Sequence, residues 1–151
     1  MKYKKSQIGW LVIGTLALIT FFLYLAYANQ WGDSPLTFIP FVLIAALFLF
    51  LCCLFYQLTI ELDGGALKLT YGIGLIKFKF RIDEFERAEV IKTPWQYGIG
   101  IRVTPKGMLY NIQGSKAVLI KFSSEEKNKS IMIGSQEPFQ LKEAIEKNIK
   151  N

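Results

Sequence analysis

Four groups of residues in this sequence have the types and spacing to do chemistry. The first is "GIGIRVTPKG", residues 98–107. Alternate glycines followed by an arginine invite a phosphate-cradling reading. A dinucleotide fingerprint needs G-x-G-x-x-G between a strand and a helix, and a P-loop needs G-K-[ST]. Here the third glycine, the helical pattern and the G-K-[ST] are all missing. Gly98, Gly100, Arg102 and Thr104 alternate instead with Ile99, Ile101 and Val103, which predicts a strand with an apolar inward face. Bare glycines on a strand mark a bulge or a close approach to the backbone. The approaching group is either Trp95 or Tyr97 of the same domain, or a ligand or partner segment with Arg102 pairing to a carboxylate or phosphate.

The second group is "KFKFR", residues 77–81, which sets Lys77, Lys79 and Arg81 on one strand face, with Lys68 upstream. Two readings stand side by side. Such a face contacts anionic lipid, at on the order of 1 kcal/mol per basic group near the surface. Otherwise it is a solvated face whose lysines guard a sheet edge. The third group is acidic: Asp83, Glu84, Glu86 and Glu89. Paired carboxylates can do acid–base work, but "DEFER" mixes signs as a solvated turn or strand edge does. The fourth is Cys52–Cys53. Adjacent helical positions point about 100° apart, so these are not a metal pair. No other cysteine exists to build a disulfide framework. The chain also has no histidine, the commonest general base and metal ligand. Ser123 and Ser124 have no base partner in sequence. Neither catalysis, nor a cofactor, nor a metal is expected.

The elements that must position these groups begin with two uncharged stretches. Residues 8–28 and 36–56 each match a helix of roughly 30 Å, about the hydrocarbon thickness of a bilayer. We read two transmembrane helices joined by the short link "NQWGDSP". Ser34 and Pro35 suit the N-cap and first position of the second helix, with Pro40 near its first turn. Lys2, Lys4 and Lys5 precede the first span, the link has no Lys or Arg, and fifteen follow the second. The positive-inside rule therefore places both termini in the cytoplasm and predicts a multi-pass protein of the cell membrane. Trp10, Tyr27, Trp31 and Tyr56 fall near span ends, as an interfacial aromatic belt does. The opening "MKYKKSQ" with "AYA" at 26–28 also resembles a cleavable signal peptide, but its apolar run is long and a second span follows.

Residues 57–151 change to period-two alternation. Leu58, Ile60 and Leu62 form one strand. Asp63-Gly64-Gly65 is a hairpin signal, and Leu67, Leu69 and Tyr71 follow. Further strands fall at 76–82, less clearly at 86–92, and at 99–103, 108–112 and 118–122. "SSEEKNK" is a polar turn before Ile131 and Ile133. Ser135 can cap a final helix, with Glu137 and Pro138 in its first turn and a stripe at Leu141, Ile145 and Ile149. The net charge of this part is +4, fifteen basic minus eleven acidic groups. That is too mild to argue for nucleic acid.

About seven antiparallel strands followed by one helix resembles the pleckstrin-homology fold. More narrowly, "GIGIR…GMLYNIQGSKAVLI…IMIGSQEP…LKEAI" resembles the bacterial pleckstrin-homology-like domains, often attached to transmembrane helices. The matching positions are Gly98, Gly100, Arg102, Gly107, Tyr110, Asn111, Gly114, Gly134, Glu137 and Pro138. In some eukaryotic relatives a lysine and a later basic alternation bind phosphoinositide headgroups, and Lys68 with Lys77, Lys79 and Arg81 is similar in spacing. The resemblance implies an α+β membrane protein. Residues 1–56 hold the basic N-terminus and hairpin. Residues 57–151 form a pleckstrin-homology-like antiparallel β-sandwich or half-barrel capped by one helix. It further implies a non-enzymatic, membrane-anchored binding or scaffold module, whose partners are the bilayer and a protein or lipid headgroup. Small two-helix proteins of this look are also linked to immunity against membrane-acting bacteriocins, the alternative role. Gly9 and Gly14 are not four apart, so a G-x-x-x-G helix dimer is not indicated.

Overall fold

The computed structural model describes residues 3–82, 84–124 and 127–149; Lys2, Asp83, Glu125 and Glu126, the last two in the expected polar turn, lie outside them. Two apolar helices, two sheets and a C-terminal helix make up the chain. Helix α1 (Trp10–Ala28) and helix α2 (Phe38–Phe55) contain no buried residue, and both are long and apolar enough to cross a membrane. At the link end Tyr27 stacks on Phe41, with ring centroids 4.8 Å apart. The second helix starts later than the Ser34–Pro35 signal predicts. Thr37 is its N-cap, and Pro40 stands in the first turn, where a preset φ helps and a missing N–H costs little.

The first sheet contains a strand that periodicity does not reveal. Strand β1 (Tyr3–Ile8) pairs antiparallel with β2 (Gln57–Asp63), from Tyr3 opposite Leu62 to Ile8 opposite Gln57. The basic N-terminus is thus part of the sheet domain and not a free tail. Its inward residues are Tyr3, Lys5 and Gln7, which carry no apolar alternation. Other partners hold it instead. The Gln7 amide donates to the Gly134 carbonyl at 2.6 Å and accepts from the Gln136 N–H at 3.2 Å, and Lys5 pairs with Glu137. Strands β3 (Ala66–Tyr71) and β4 (Ile76–Arg81) complete the order β1-β2-β3-β4.

The second sheet has the order β5-β8-β9-β7-β6, formed by β5 (Glu84–Lys92), β6 (Gly100–Thr104), β7 (Gly107–Asn111), β8 (Lys116–Ser124) and β9 (Lys127–Gly134). The less distinct strand at 86–92 is real; a register shift between Phe85 and Arg87 blurs its alternation. The sheet is not wholly antiparallel. Because β8 lies on the outer side of β9, β7 and β9 run parallel over three pairs, Met108–Ile131, Leu109–Met132 and Tyr110–Ile133.

Both sheets bury one face in a common core. Leu58, Ile60, Leu62, Leu67, Leu69 and Tyr71 meet Tyr110, Ile112, Val118, Ile120, Phe122 and Ile133. Each such side chain contributes roughly 1.5–3 kcal/mol through the area it removes from water. Helix α3 (Pro138–Ile149) adds Leu141 and Ile145 at i, i+4 spacing. Pro138 takes its first position, and the Ser135 hydroxyl accepts the Glu137 N–H at 3.1 Å just before it.

Candidate functional site

The helices enter the domain without a linker. Gly9 alone separates β1 from α1, and Tyr56 alone separates α2 from β2. The Gly9 N–H donates to the Tyr56 carbonyl at 2.8 Å, extending the β1–β2 ladder by one bond. A side chain at Gly9 would press on Ile112, so glycine lets the helix start against the core. Val12 and Phe55 also pack on that core, and Phe55 meets Tyr71 edge-on at 5.8 Å.

At this foot lies an apolar groove of about 410 Å³. Leu11, Val12, Thr15 and Leu16 of α1 and Leu51 and Phe55 of α2 form its walls, and Ile99–Gly100 forms its rim. The glycine-rich stretch therefore reaches the helix roots, which its sequence does not disclose. Gly98 (φ +59) and Gly100 (φ +107) are both in left-handed backbone that side chains rarely adopt. The group lying over Gly98 is the guanidinium of Arg102, 3.4 Å from where a Cβ would sit. Tyr97 packs instead on a second cluster, with Leu109, Leu119 and Met132; the Trp95 side chain lies outside the described ones. Space beside Gly100 is open. Arg102 is exposed and has no ion-pair partner among the described residues.

The expected inward face of this strand holds only in part. Ile101 packs on the core and Ile99 lines the groove, but Val103 is 82% exposed and Thr104 is buried. The turn at 105–106 causes the reversal. The Thr104 hydroxyl donates to the Gly107 carbonyl at 2.7 Å and accepts the Lys106 N–H at 3.2 Å, drawing Thr104 inward.

The motif residues form a structural network around the parallel ladder. Asn111 is 1% exposed. Its amide donates to the carbonyls of Gly98 and Gly114, and its oxygen accepts the Gln113 N–H, all at 3.2 Å. Glycines flank the ladder at both ends. A side chain at Gly107 would collide with Ser130, and one at Gly134 with Asn111. Tyr110 meets Phe78 at a tilt and Phe80 edge-on between the sheets, and burial pushes its phenol up. Glu137 anchors β1 through Lys5, and Pro138 opens α3.

The basic residues separate by level. On the outer face of the first sheet, Lys4, Glu61, Lys68 and Lys79 are successive cross-strand neighbours. Glu61 lies 2.6 Å from Lys4 and 3.3 Å from Lys68, and these hydrogen bonds hold its carboxyl below the usual range. Lys68 is thus offset by a carboxylate. Lys77 faces Thr70 and Arg81 faces Ala66, on the rungs either side of Lys79, roughly 7 Å from rung to rung. The Ile8–Gln57 rung lies at the hairpin end, so Lys77 is nearest the helices and Arg81 farthest. In the acidic cluster Arg87 pairs with Glu89, Glu86 is exposed, and Asp83 lies outside the described residues. Cys52 and Cys53 are free thiols in the last turns of α2.

Comparisons of the chain with family models, with curated proteins and with solved structures found no match.

Proposed function

We propose that this chain is a membrane-anchored, non-enzymatic binding module that holds a pleckstrin-homology-like β domain at the inner face of the cell membrane. One observation carries the reading: β1 and β2 pair at the base of two apolar helices that bury nothing. A helix pair with no buried residue is suited to lipid, where apolar side chains need no protein cover. Pairing across its base puts both ends of the hairpin on one side. The lysines before it and the basic domain after it make that side the cytoplasm.

A binding role draws support from the chemistry at the foot. Among the described residues the groups with shifted ionisation are Tyr3, Glu61, Tyr71, Tyr110 and Glu143, and none of these lines the groove. What the foot offers is an apolar trough, open backbone at Gly100 and an unpaired guanidinium at Arg102. Those features suit a partner that brings an apolar segment and an anionic group.

In-cell photo-crosslinking tests this. A probe replacing Arg102 is expected to give discrete protein adducts, and a probe replacing Lys79, on the outer face of the other sheet, is expected to give none. Silence at Arg102 would remove the partner face. Deletion of the chain should leave sensitivity to membrane-acting peptides unchanged; heightened sensitivity would move the reading to protection of the producer cell.

A further inference from the structure

The turn between β3 and β4, residues 72–75, carries two large apolar side chains where a soluble domain places polar ones. Ile73 is 60% exposed and Leu75 is 65% exposed. Both stand beside glycines, in "YGIGLIKF".

The turn is fastened to α2. The Ile73 N–H donates to the Cys53 carbonyl at 3.2 Å, and the Gly72 N–H donates to the Gln57 carbonyl at 2.7 Å. Any side chain at Gly72 would collide with the Cys53 and Leu54 carbonyls, so only glycine lets the turn sit this close. Cys53 is two residues inside the end of α2. The Cys53 carbonyl points toward the helix end, so the Ile73 backbone lies beside the last turn of α2. The exposed Ile73 side chain therefore extends the surface of the last turn of α2. The next basic residue, Lys77, runs its stem along the turn, with Cε 3.5 Å from the Cβ position of Gly74. It has no ion-pair partner among the described residues.

We infer that the 72–75 turn is a third membrane-contact element, in which Ile73 and Leu75 enter the lipid interface beside α2 and Lys77 meets anionic headgroups. This rests on the reading of α1 and α2 as membrane spans. The occupant is lipid because the turn continues the apolar surface of the helix to which it is bonded. Lys79 and Arg81, one and two rungs farther out, lie roughly 7 and 14 Å beyond Lys77. Attraction to a charged leaflet fades over about 8 Å at physiological salt, so Lys77 carries most of it.

The test uses the full chain with Cys52→Ala and Cys53→Ala, reconstituted into phosphatidylcholine vesicles containing a minority of phosphatidylglycerol. Nitroxide labels are placed singly at Ile73→Cys, Leu75→Cys, Leu47→Cys and Lys79→Cys, and near-ultraviolet circular dichroism checks each fold. Labels at 73, 75 and 47 are expected to collide more with oxygen than with a water-soluble nickel chelate, and the label at 79 the reverse. Adding Lys77→Glu should shift the label at 75 toward water. Nickel access at 73 and 75 with 47 still in lipid overturns the inference and leaves the spans intact. Nickel access at 47 as well overturns both. Immobile labels at 73 and 75, shielded from both reagents, would mean a protein contact and also overturn it.

Discussion

The Gly9 N–H and the Tyr56 carbonyl lie 2.8 Å apart, so the two ends of the helical hairpin are joined by a single backbone hydrogen bond. The hairpin is in effect a long insertion in the loop between two paired strands. The domain hangs from it by two adjacent attachments, each one residue long.

Excising the hairpin should therefore leave a folded domain. Joining Ile8 to Gln57 through Asn-Gly supplies the turn that two paired strands favour. We expect a water-soluble monomer with a cooperative thermal transition, less stable than the parent because Val12 and Phe55 no longer cover the core. Size-exclusion chromatography and thermal denaturation read both outcomes. An aggregated or molten product would mean that the hairpin is needed for the fold.

Asn111→Ala should cost about 1–2 kcal/mol, since it removes the three hydrogen bonds made by a buried side-chain amide. Denaturant unfolding measures the loss. Gly134→Ala should be comparably damaging, because its methyl meets the same asparagine. Unchanged midpoints in both would remove this network from the stability of the fold.

Tyr71→Phe should do the opposite. Tyr71 is fully buried, its hydroxyl finds no hydrogen-bond partner among the described residues, and burial pushes its phenol up. Removing an unpartnered hydroxyl while keeping the ring should stabilise by about 1 kcal/mol. A lower thermal midpoint would show that the hydroxyl has a partner, such as an ordered water.

Acid should weaken the first sheet modestly through Glu61. Its carboxyl is held below the usual value by Lys4 and Lys68. The folded state therefore binds its proton less readily than the unfolded chain. The stabilisation is complete above the ordinary glutamate range, near pH 4.3, and is lost as pH falls through the lowered value. Glu61→Gln should flatten that part of the stability–pH curve, and added salt should shrink it in the parent.

How much was legible in the sequence follows from which forces leave a periodic trace. The two helices show as unbroken apolar runs, the second starting at Phe38, while the alternating strands and the Leu141–Ile145 stripe bury apolar surface at a fixed period and are found where the pattern puts them. Strand β1 left no such trace. Its inward side chains are Tyr3, Lys5 and Gln7, held by an ion pair and amide hydrogen bonds to the other end of the chain. Long-range polar contacts have no signature in local periodicity. The reversal at Val103 and Thr104 comes from one hydroxyl serving a turn. The glycines at 98 and 100 were visible as a departure from strand pattern, but their meaning depended on the approach of α1 and α2. Ile73 and Leu75 did carry a signal, two bulky apolar residues in a glycine-flanked turn.

The β1–β2 pairing also bears on how the protein is made. Residues 3–8 leave the ribosome ahead of both helices, and their partner strand follows only after them. On the proposed reading of α1 and α2 as membrane spans, the first strand waits through their whole insertion. If only one helix crosses, the two strands end on opposite sides of the bilayer and cannot meet. Closure of the sheet then reports that the number of crossings is even. A half-inserted chain keeps unpaired strand edges and an open core, features that aggregation and cellular proteases act on. On that reading the short basic strand β1 would act as a topology check, passed only after its partner has been delivered to the same side.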